Sequence, residues 1–191
     1  MIREIASGRM VGAEIQALDR RRAKSEIDLG WWNSVRDLPK TIVDGEQDKG
    51  WHWHKLVGTL RTQLGNLGFA WAAWAGNRIQ GAILYQIGAV SELEPELPTL
   101  MIYRLASAPW NREWLRDPPQ YAGIGSGLLR LAIYHSYRYG MGGRVTVEAY
   151  SDERVLDWYL QFGFQVAVPD DGEVCVLELP PEAATLLIQE G

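Results

Sequence analysis

The 191-residue sequence has one cysteine, three histidines and no apolar run long enough to cross a membrane. A lone thiol, Cys175 within Val174-Cys175-Val176-Leu177, excludes a disulfide framework and a cysteine zinc site, and reads as a small buried residue. His52 and His54 stand two apart, so on a helix they diverge and do not chelate one ion; no metal is expected. His135 falls on an apolar stripe with Leu128 and Ala132 and reads as a packed helix residue. The N-terminal MIREIASGRMVG has no long apolar stretch, so no signal peptide and no membrane association are expected, and the protein is expected to be cytoplasmic. A formal net charge of −5 provides no general field for DNA or RNA, so no nucleic-acid partner is expected. The same mild acidity suits a cationic partner such as an amine. Internal repeats and low-complexity segments are missing too.

What is present fits one globular domain, residues 1–191, with 47% hydrophobic and 23% charged residues. Six of the nine tryptophans (Trp31, Trp32, Trp51, Trp53, Trp71 and Trp74) lie in the first 74 residues. Ile2 to Ala6 reads as a strand. Ser7 then caps an expected first helix through Val11, Ile15, Leu18 and Arg22. From Gly30 to Gly50 breakers dominate, and a loop with a short helical piece is expected. Residues 51–66 fit a second helix through Trp53, Leu56, Val57, Leu60 and Leu64. The period then shortens: Phe69–Trp74, a turn at Gly76-Asn77 and Ile79–Ile87 form an expected hairpin. An acidic loop leads to a strand from Thr99 to Ala108, and Pro109 to Pro119 is a polar connection. A helix from about Gly123 to Tyr139, a strand at Arg144–Tyr150, and a helix from Asp152 to Phe162 follow, with Gly163 as its left-handed cap. Strands near 164–168 and 173–179 complete the pattern. The fold class is α/β (α+β type): a mixed, mostly antiparallel central sheet flanked by about four helices.

Chemistry enters at Gln120-Tyr-Ala-Gly-Ile-Gly-Ser-Gly-Leu-Leu, where Gly123, Gly125 and Gly127 run into a helix. The first amides of a helix have no internal partner and sit at its positive end, and glycines let an anion approach them. A P-loop requires Lys-Ser/Thr after its last glycine, whereas Leu128-Leu129 follows here. A dinucleotide loop requires GxGxxG after the first strand; this chain spells GxGxG after a later one. Taken alone, the cluster is also what a helix-capping glycine run looks like.

The pattern Gln120-x-x-Gly123-x-Gly125, with Trp158-Tyr159-Leu160-Gln161-Phe162-Gly163-Phe164 ending the next helix, resembles the GNAT superfamily of acyl-CoA-dependent N-acyltransferases. The order of elements agrees over nearly the whole chain. The resemblance implies acetyl-CoA as co-substrate and an amine acceptor, small-molecule or peptide, attacking directly in a ternary complex. It implies that the backbone of Leu105, Ala106 and Ser107 pairs with the pantetheine arm. It assigns the pyrophosphate to the amides of Tyr121, Ala122, Gly123, Ile124, Gly125, Ser126 and Gly127, with Gln120 facing the same group. Tyr159 would protonate the departing thiolate as general acid. No Ser/Cys triad is needed or evident. Glu148 is one candidate base, since Val145, Val147 and Ala149 take the other face of its strand, and Glu92 and Glu94 are others; each also reads as a solvated carboxylate. Asp152 stands where the family often has Asn. Two departures are the long connector Pro109–Gln120, which would shape the acceptor pocket or lie over the sheet edge, and the aromatic stretch Trp31-Trp32 with Trp51–His54, which forms an acceptor wall or core. Homodimers are common in the family, although nothing in this sequence is dimer-specific. The main rival is a module of the same fold that binds CoA or a protein without turnover.

Overall fold

The computed structural model describes residues 1–169 and 172–189. Ten strands occur among them: β1 (Ile2–Glu4), β2 (Met10–Val11), β3 (Glu14–Ala17), β4 (Gly68–Ala75), β5 (Arg78–Val90), β6 (Pro98–Ser107), β7 (Tyr121–Ala122), β8 (Val145–Tyr150), β9 (Gln165–Val168) and β10 (Val174–Leu179). The α-helices are α1 (Arg20–Arg22), α2 (Lys40–Asp44), α3 (Trp53–Leu64), α4 (Ile124–Arg138), α5 (Glu153–Leu160) and α6 (Pro181–Gln189). Seven strands pair in the order β3-β4-β5-β6-β8-β10-β9, and β2-β1-β7 form a small separate sheet. The β6/β8 pairing is parallel, and the β3/β4, β8/β10 and β9/β10 pairings are antiparallel. The chain divides into two compact units: Met1–Leu84 with Arg104–Leu128, and Tyr85–Tyr103 with the chain from Leu129 onward.

In the first unit, the expected helix through Val11, Ile15 and Leu18 does not form. Met10–Val11 pairs with β1, and Glu14–Ala17 pairs with Trp71–Trp74 of β4. Sheet pairing thus overrides a helical spacing that was coincidental. The helix begins only at Arg20, where the Asp19 side chain accepts the Arg22 amide at 2.8 Å. The first strand, likewise, belongs to the small sheet rather than the central one, pairing with Tyr121–Ala122. Helix α3 has its first amides satisfied from a distance: Asp28 accepts from Trp53 N at 2.8 Å and His54 N at 3.2 Å, and its carboxylate also meets His54 Nδ1. Trp31 and Trp53 are 1% and 2% exposed and meet edge to face at 6.0 Å, so these two tryptophans are core.

One glycine decides how α4 starts. A Cβ at Gly81 of β5 would stand 2.4 Å from Ile124 Cγ2, 3.0 Å from Leu128 Cδ1 and 3.1 Å from the Ala106 carbonyl oxygen. The first turn of α4 therefore packs directly on the backbone of β5, and Ile124 and Leu128 are buried.

In the second unit, β8 pairs with β10 from Val145↔Leu179 to Tyr150↔Val174. Asp152 caps α5 by accepting from Arg154 N at 3.0 Å, and Gly163 takes φ 87° beyond its end. Helix α6, absent from the sequence reading, packs Ala184 beside Gly143 and Ala183 beside Gly163. Glu178 of β10 is fully buried and fixes the acidic loop after β5. It accepts from Ser91 Oγ at 2.5 Å, Glu92 N at 2.9 Å and Thr146 Oγ1 at 2.9 Å, with Arg144 Nε at 3.3 Å.

Candidate active site

The glycine loop leaves β7 and opens α4. Gly123 sits at φ 88°, a left-handed conformation that turns the strand into the helix with no Cβ to strain it. The Gly127 amide bonds the Gly123 carbonyl at 2.9 Å, and this is the first full turn of the helix. The amides of Ile124, Gly125 and Ser126 precede any such acceptor and emerge from the positive end of a 15-residue helix. Tyr121 differs from the expectation, because its amide donates to Asn111 Oδ1 at 3.1 Å. Of the seven expected donor amides, those of Tyr121 and Gly127 are therefore engaged within the protein, and those of Ile124, Gly125 and Ser126 form the open first turn.

Gln120 lies at the entry to this loop, and its Oε1 accepts from Arg78 Nη2 at 2.8 Å. The Arg78 guanidinium rests 4.0 Å above the Trp110 ring. The connector holding Trp110 is itself fastened to β5: Trp110 Nε1 donates to Gln80 Oε1 at 2.7 Å, and Asn111 Nδ2 donates to the same oxygen at 3.0 Å. Sequence reading missed Arg78. Its partners lie 32 and 42 residues away, and no local pattern links them.

At the end of β6, Ala106 turns its carbonyl toward Gly81 of β5, so alternation along the strand turns Leu105 and Ser107 to the opposite edge. The Ser107 carbonyl is already taken, accepting from Arg112 Nη2 at 2.7 Å and Nε at 3.0 Å. Arg112 is buried and also donates to Asp48 Oδ1 at 2.8 Å and Glu46 Oε2 at 2.6 Å. Burial pulls the Arg112 pKa down, but the hydrogen bonds and charges of Asp48 and Glu46 outweigh it and hold the guanidinium charged. The connector Pro109–Gln120 is therefore fixed near its start, to Gln80 by Trp110 and to the 46–48 turn by Arg112, and at its end by the Gln120 amide, which donates to the Trp110 carbonyl at 2.9 Å. Trp32 lies against the same Arg112, 5.5 Å from ring centroid to guanidinium carbon, and Trp51 faces Arg104 at 4.9 Å.

The second unit holds Tyr159 and Glu148. Tyr159 is 6% exposed, packed edge to face on Trp158 at 4.8 Å and Phe164 at 5.1 Å. Its hydroxyl makes no hydrogen bond among the described residues, and burial pushes its pKa well above the usual phenol value. Glu148 is exposed on β8. Within this unit the parallel ladder runs to Ile102↔Val147, and Tyr103 and Glu148 are the next residues along the two strands. Tyr103 donates its hydroxyl proton to Gln86 Oε1 at 2.6 Å, and burial followed by the Glu148 charge raises its pKa. Tyr103 is a second residue that the sequence reading missed. Glu94 is not an idle carboxylate, since it pairs with Arg144, while Glu92 is tied to Glu178 through its backbone. His135 packs on α4 with Nδ1 against the Tyr85 hydroxyl, and burial, reinforced by Arg138, lowers its pKa. His52 and His54 stand 6.3 Å apart ring to ring. No cluster of potential metal ligands occurs among the described residues, and none of their helices is long and apolar enough to cross a membrane.

No protein-family model matches the sequence, and no curated protein does. Solved structures match well. The PaiA N-acetyltransferase from Thermoplasma acidophilum, in complex with coenzyme A, aligns with TM-score 0.57 at 16% identity over 88% of this chain and 98% of its own. A protein of Desulfovibrio desulfuricans assigned to the GNAT family as an acetyltransferase aligns at TM-score 0.58 and 14% identity, covering 90% and 99%. A mutant AtaT toxin bound to the C-terminus of the antitoxin AtaR and acetyl-CoA aligns at TM-score 0.57 and 15% identity, covering 94% and 99%. The chain has the GNAT fold.

Proposed function

We propose that the protein is an acetyl-CoA-dependent N-acetyltransferase that passes the acetyl group to the primary amine of a small molecule or peptide by direct attack in a ternary complex. The observation that carries this reading is the first turn of α4: three uncommitted amides at the positive end of a helix, entered through Gln120-x-x-Gly123-x-Gly125 in a GNAT fold. A diphosphate with several charge-assisted bonds there gains more than the ~0.3–1 kcal/mol of a single exposed charge at a helix end. The T. acidophilum neighbour, which holds coenzyme A, supports the same ligand here. On the pantetheine side, Leu105 has its backbone on the edge facing away from β5, whereas the Ser107 carbonyl is occupied by Arg112.

In the reaction the amine nitrogen bonds to the thioester carbonyl carbon and the carbon–sulfur bond breaks. The amine loses a proton and the thiolate gains one. Tyr159 is the residue assigned to the sulfur. Burial keeps its hydroxyl protonated, so it is a ready donor. Full transfer from a phenol raised above ~10 to a thiolate of pKa ~8.5 runs uphill, so Tyr159 acts mainly through a hydrogen bond to the developing charge, and the released thiolate takes its proton from solvent. Glu148, beside Tyr103, receives the acceptor as an ammonium and passes its proton to solvent. No acceptor binding through nucleic acid is assigned. The test is release of free thiol from acetyl-CoA in the presence of amines, amino acids, polyamines and peptides. Amine-dependent release supports the proposal. CoA binding without release for any acceptor would favour the non-catalytic module of the same fold.

A further inference from the structure

The connector Pro109–Gln120 is long and tied down at both ends, and one of its ties ends in a charge with no opposite charge paired to it among the described residues. Arg78 is exposed, yet held in place: its guanidinium lies 4.0 Å over Trp110, and Nη2 donates to Gln120 Oε1 at 2.8 Å. Among the described residues it has no carboxylate partner, in contrast to Arg112, whose charge is matched by Asp48 and Glu46. Among the described residues, a side chain engages one of its five N–H donors. Its neighbour Gln120 stands three residues before Gly123, and Tyr121 Oη lies 3.0 Å from where a Cβ of Gly76 would be. The β4–β5 turn, the connector and the glycine loop therefore meet in the first unit, with Arg78 displayed beside them.

We infer that Arg78, seated on Trp110 and oriented by Gln120, is a phosphate-binding side chain of the donor site. The connector then serves the coenzyme side of the reaction and not the acceptor side. The inference rests on the donor assignment proposed above. Physically, a guanidinium offers a planar fork that suits phosphate oxygens, and the stack and the bond to Gln120 settle its rotamer before the ligand arrives. Coenzyme A presents two kinds of phosphate, the diphosphate bridge and the 3′-phosphate on its ribose. Arg78 has the chemistry for either.

The experiment is calorimetric titration of wild type, Arg78→Ala and Arg78→Lys with coenzyme A and with dephospho-coenzyme A, alongside the melting temperature of each unliganded protein. Arg78→Ala should weaken CoA binding about tenfold or more, as expected for loss of a charge-assisted bond. Arg78→Lys should recover part of that loss by restoring charge without the fork. If the 3′-phosphate is the partner, CoA and dephospho-CoA become equal ligands of Arg78→Ala; if the diphosphate is, both weaken together. Either pattern supports the inference. CoA binding to Arg78→Ala within twofold of wild type overturns it, and marks the Arg78–Trp110 stack as structural. A wild type that binds neither ligand overturns the donor assignment itself, before any variant is compared.

Discussion

Replacing Gly81 by alanine tests how the donor loop is positioned. The added methyl would stand 2.4 Å from Ile124 Cγ2, where carbon atoms prefer about 3.5–4.0 Å. Ile124 cannot swing that methyl aside, because a β-branched residue in a helix has one strongly preferred χ1. Leu128 Cδ1 at 3.0 Å and the Ala106 carbonyl at 3.1 Å close the other directions. The first turn of α4 must lift by roughly 1 Å, which puts the change among overpacking substitutions costing about 1–3 kcal/mol. For a chain of this size that is a fall in melting temperature of about 2–12 °C. The same lift displaces the Ile124, Gly125 and Ser126 amides, so CoA affinity should fall with stability. Ile124→Ala removes the colliding methyl, and Gly81→Ala/Ile124→Ala should lose at least ~1 kcal/mol less than the two single changes added together. Thermal melts and calorimetric titration of the four proteins read both effects. Unchanged melting and unchanged affinity for Gly81→Ala, or strict additivity in the double variant, would refute the packing argument.

Further outcomes are expected at other positions. Gly125→Glu puts an acid in the first turn of α4, which the helix dipole favours, so melting should hold while CoA binding is lost by repulsion of the diphosphate. Tyr159→Phe should retain CoA binding and lower thiol release about 3–10-fold, the worth of one neutral hydrogen bond; a loss of 100-fold or more would mean full general-acid transfer. Because the folded Tyr159 pKa is raised, its share of stability is complete below pH ~10 and declines as pH rises toward its folded value; chemical denaturation between pH 9 and 11 should show that decline in wild type and less of it in Tyr159→Phe. Arg112→Ala strands Asp48 and Glu46 without their cation and should cost about 3–5 kcal/mol, measured by urea denaturation; a loss below 1 kcal/mol would contradict a buried, matched ion cluster.

The segments that were readable in sequence are those whose signals are local. Gly76-Asn77 between two alternating runs gave a hairpin, with Gly76 at φ 57° and Asn77 at φ 62° as the tight turn demands. The glycines before Leu128 marked the start of α4, and Gly163 marked the end of α5. Residues 8–22 were misread because Glu14–Ala17 is a strand only by virtue of β4, more than 50 residues away. Helix α6 escaped because Pro181 and a short apolar run carry no distinctive period; it is held by Gly143 and Gly163. The tryptophan-rich stretch divides: Trp31 and Trp53 are core, while Trp32 and Trp51 lie under Arg112 and Arg104. In the site, the motif named the loop but not which amides remain open, since Asn111 and Gly123 claim theirs through folding. Arg78, Tyr103 and Arg112 were invisible for a similar reason, as each takes its meaning from partners remote in sequence.

Titration of coenzyme A into the wild-type protein and Gly125→Glu tests the central claim most directly. The account predicts saturable binding at one site per chain in the wild type and none in the variant at the same concentrations. Failure of the wild type to bind, or equal binding by a folded Gly125→Glu, would contradict it.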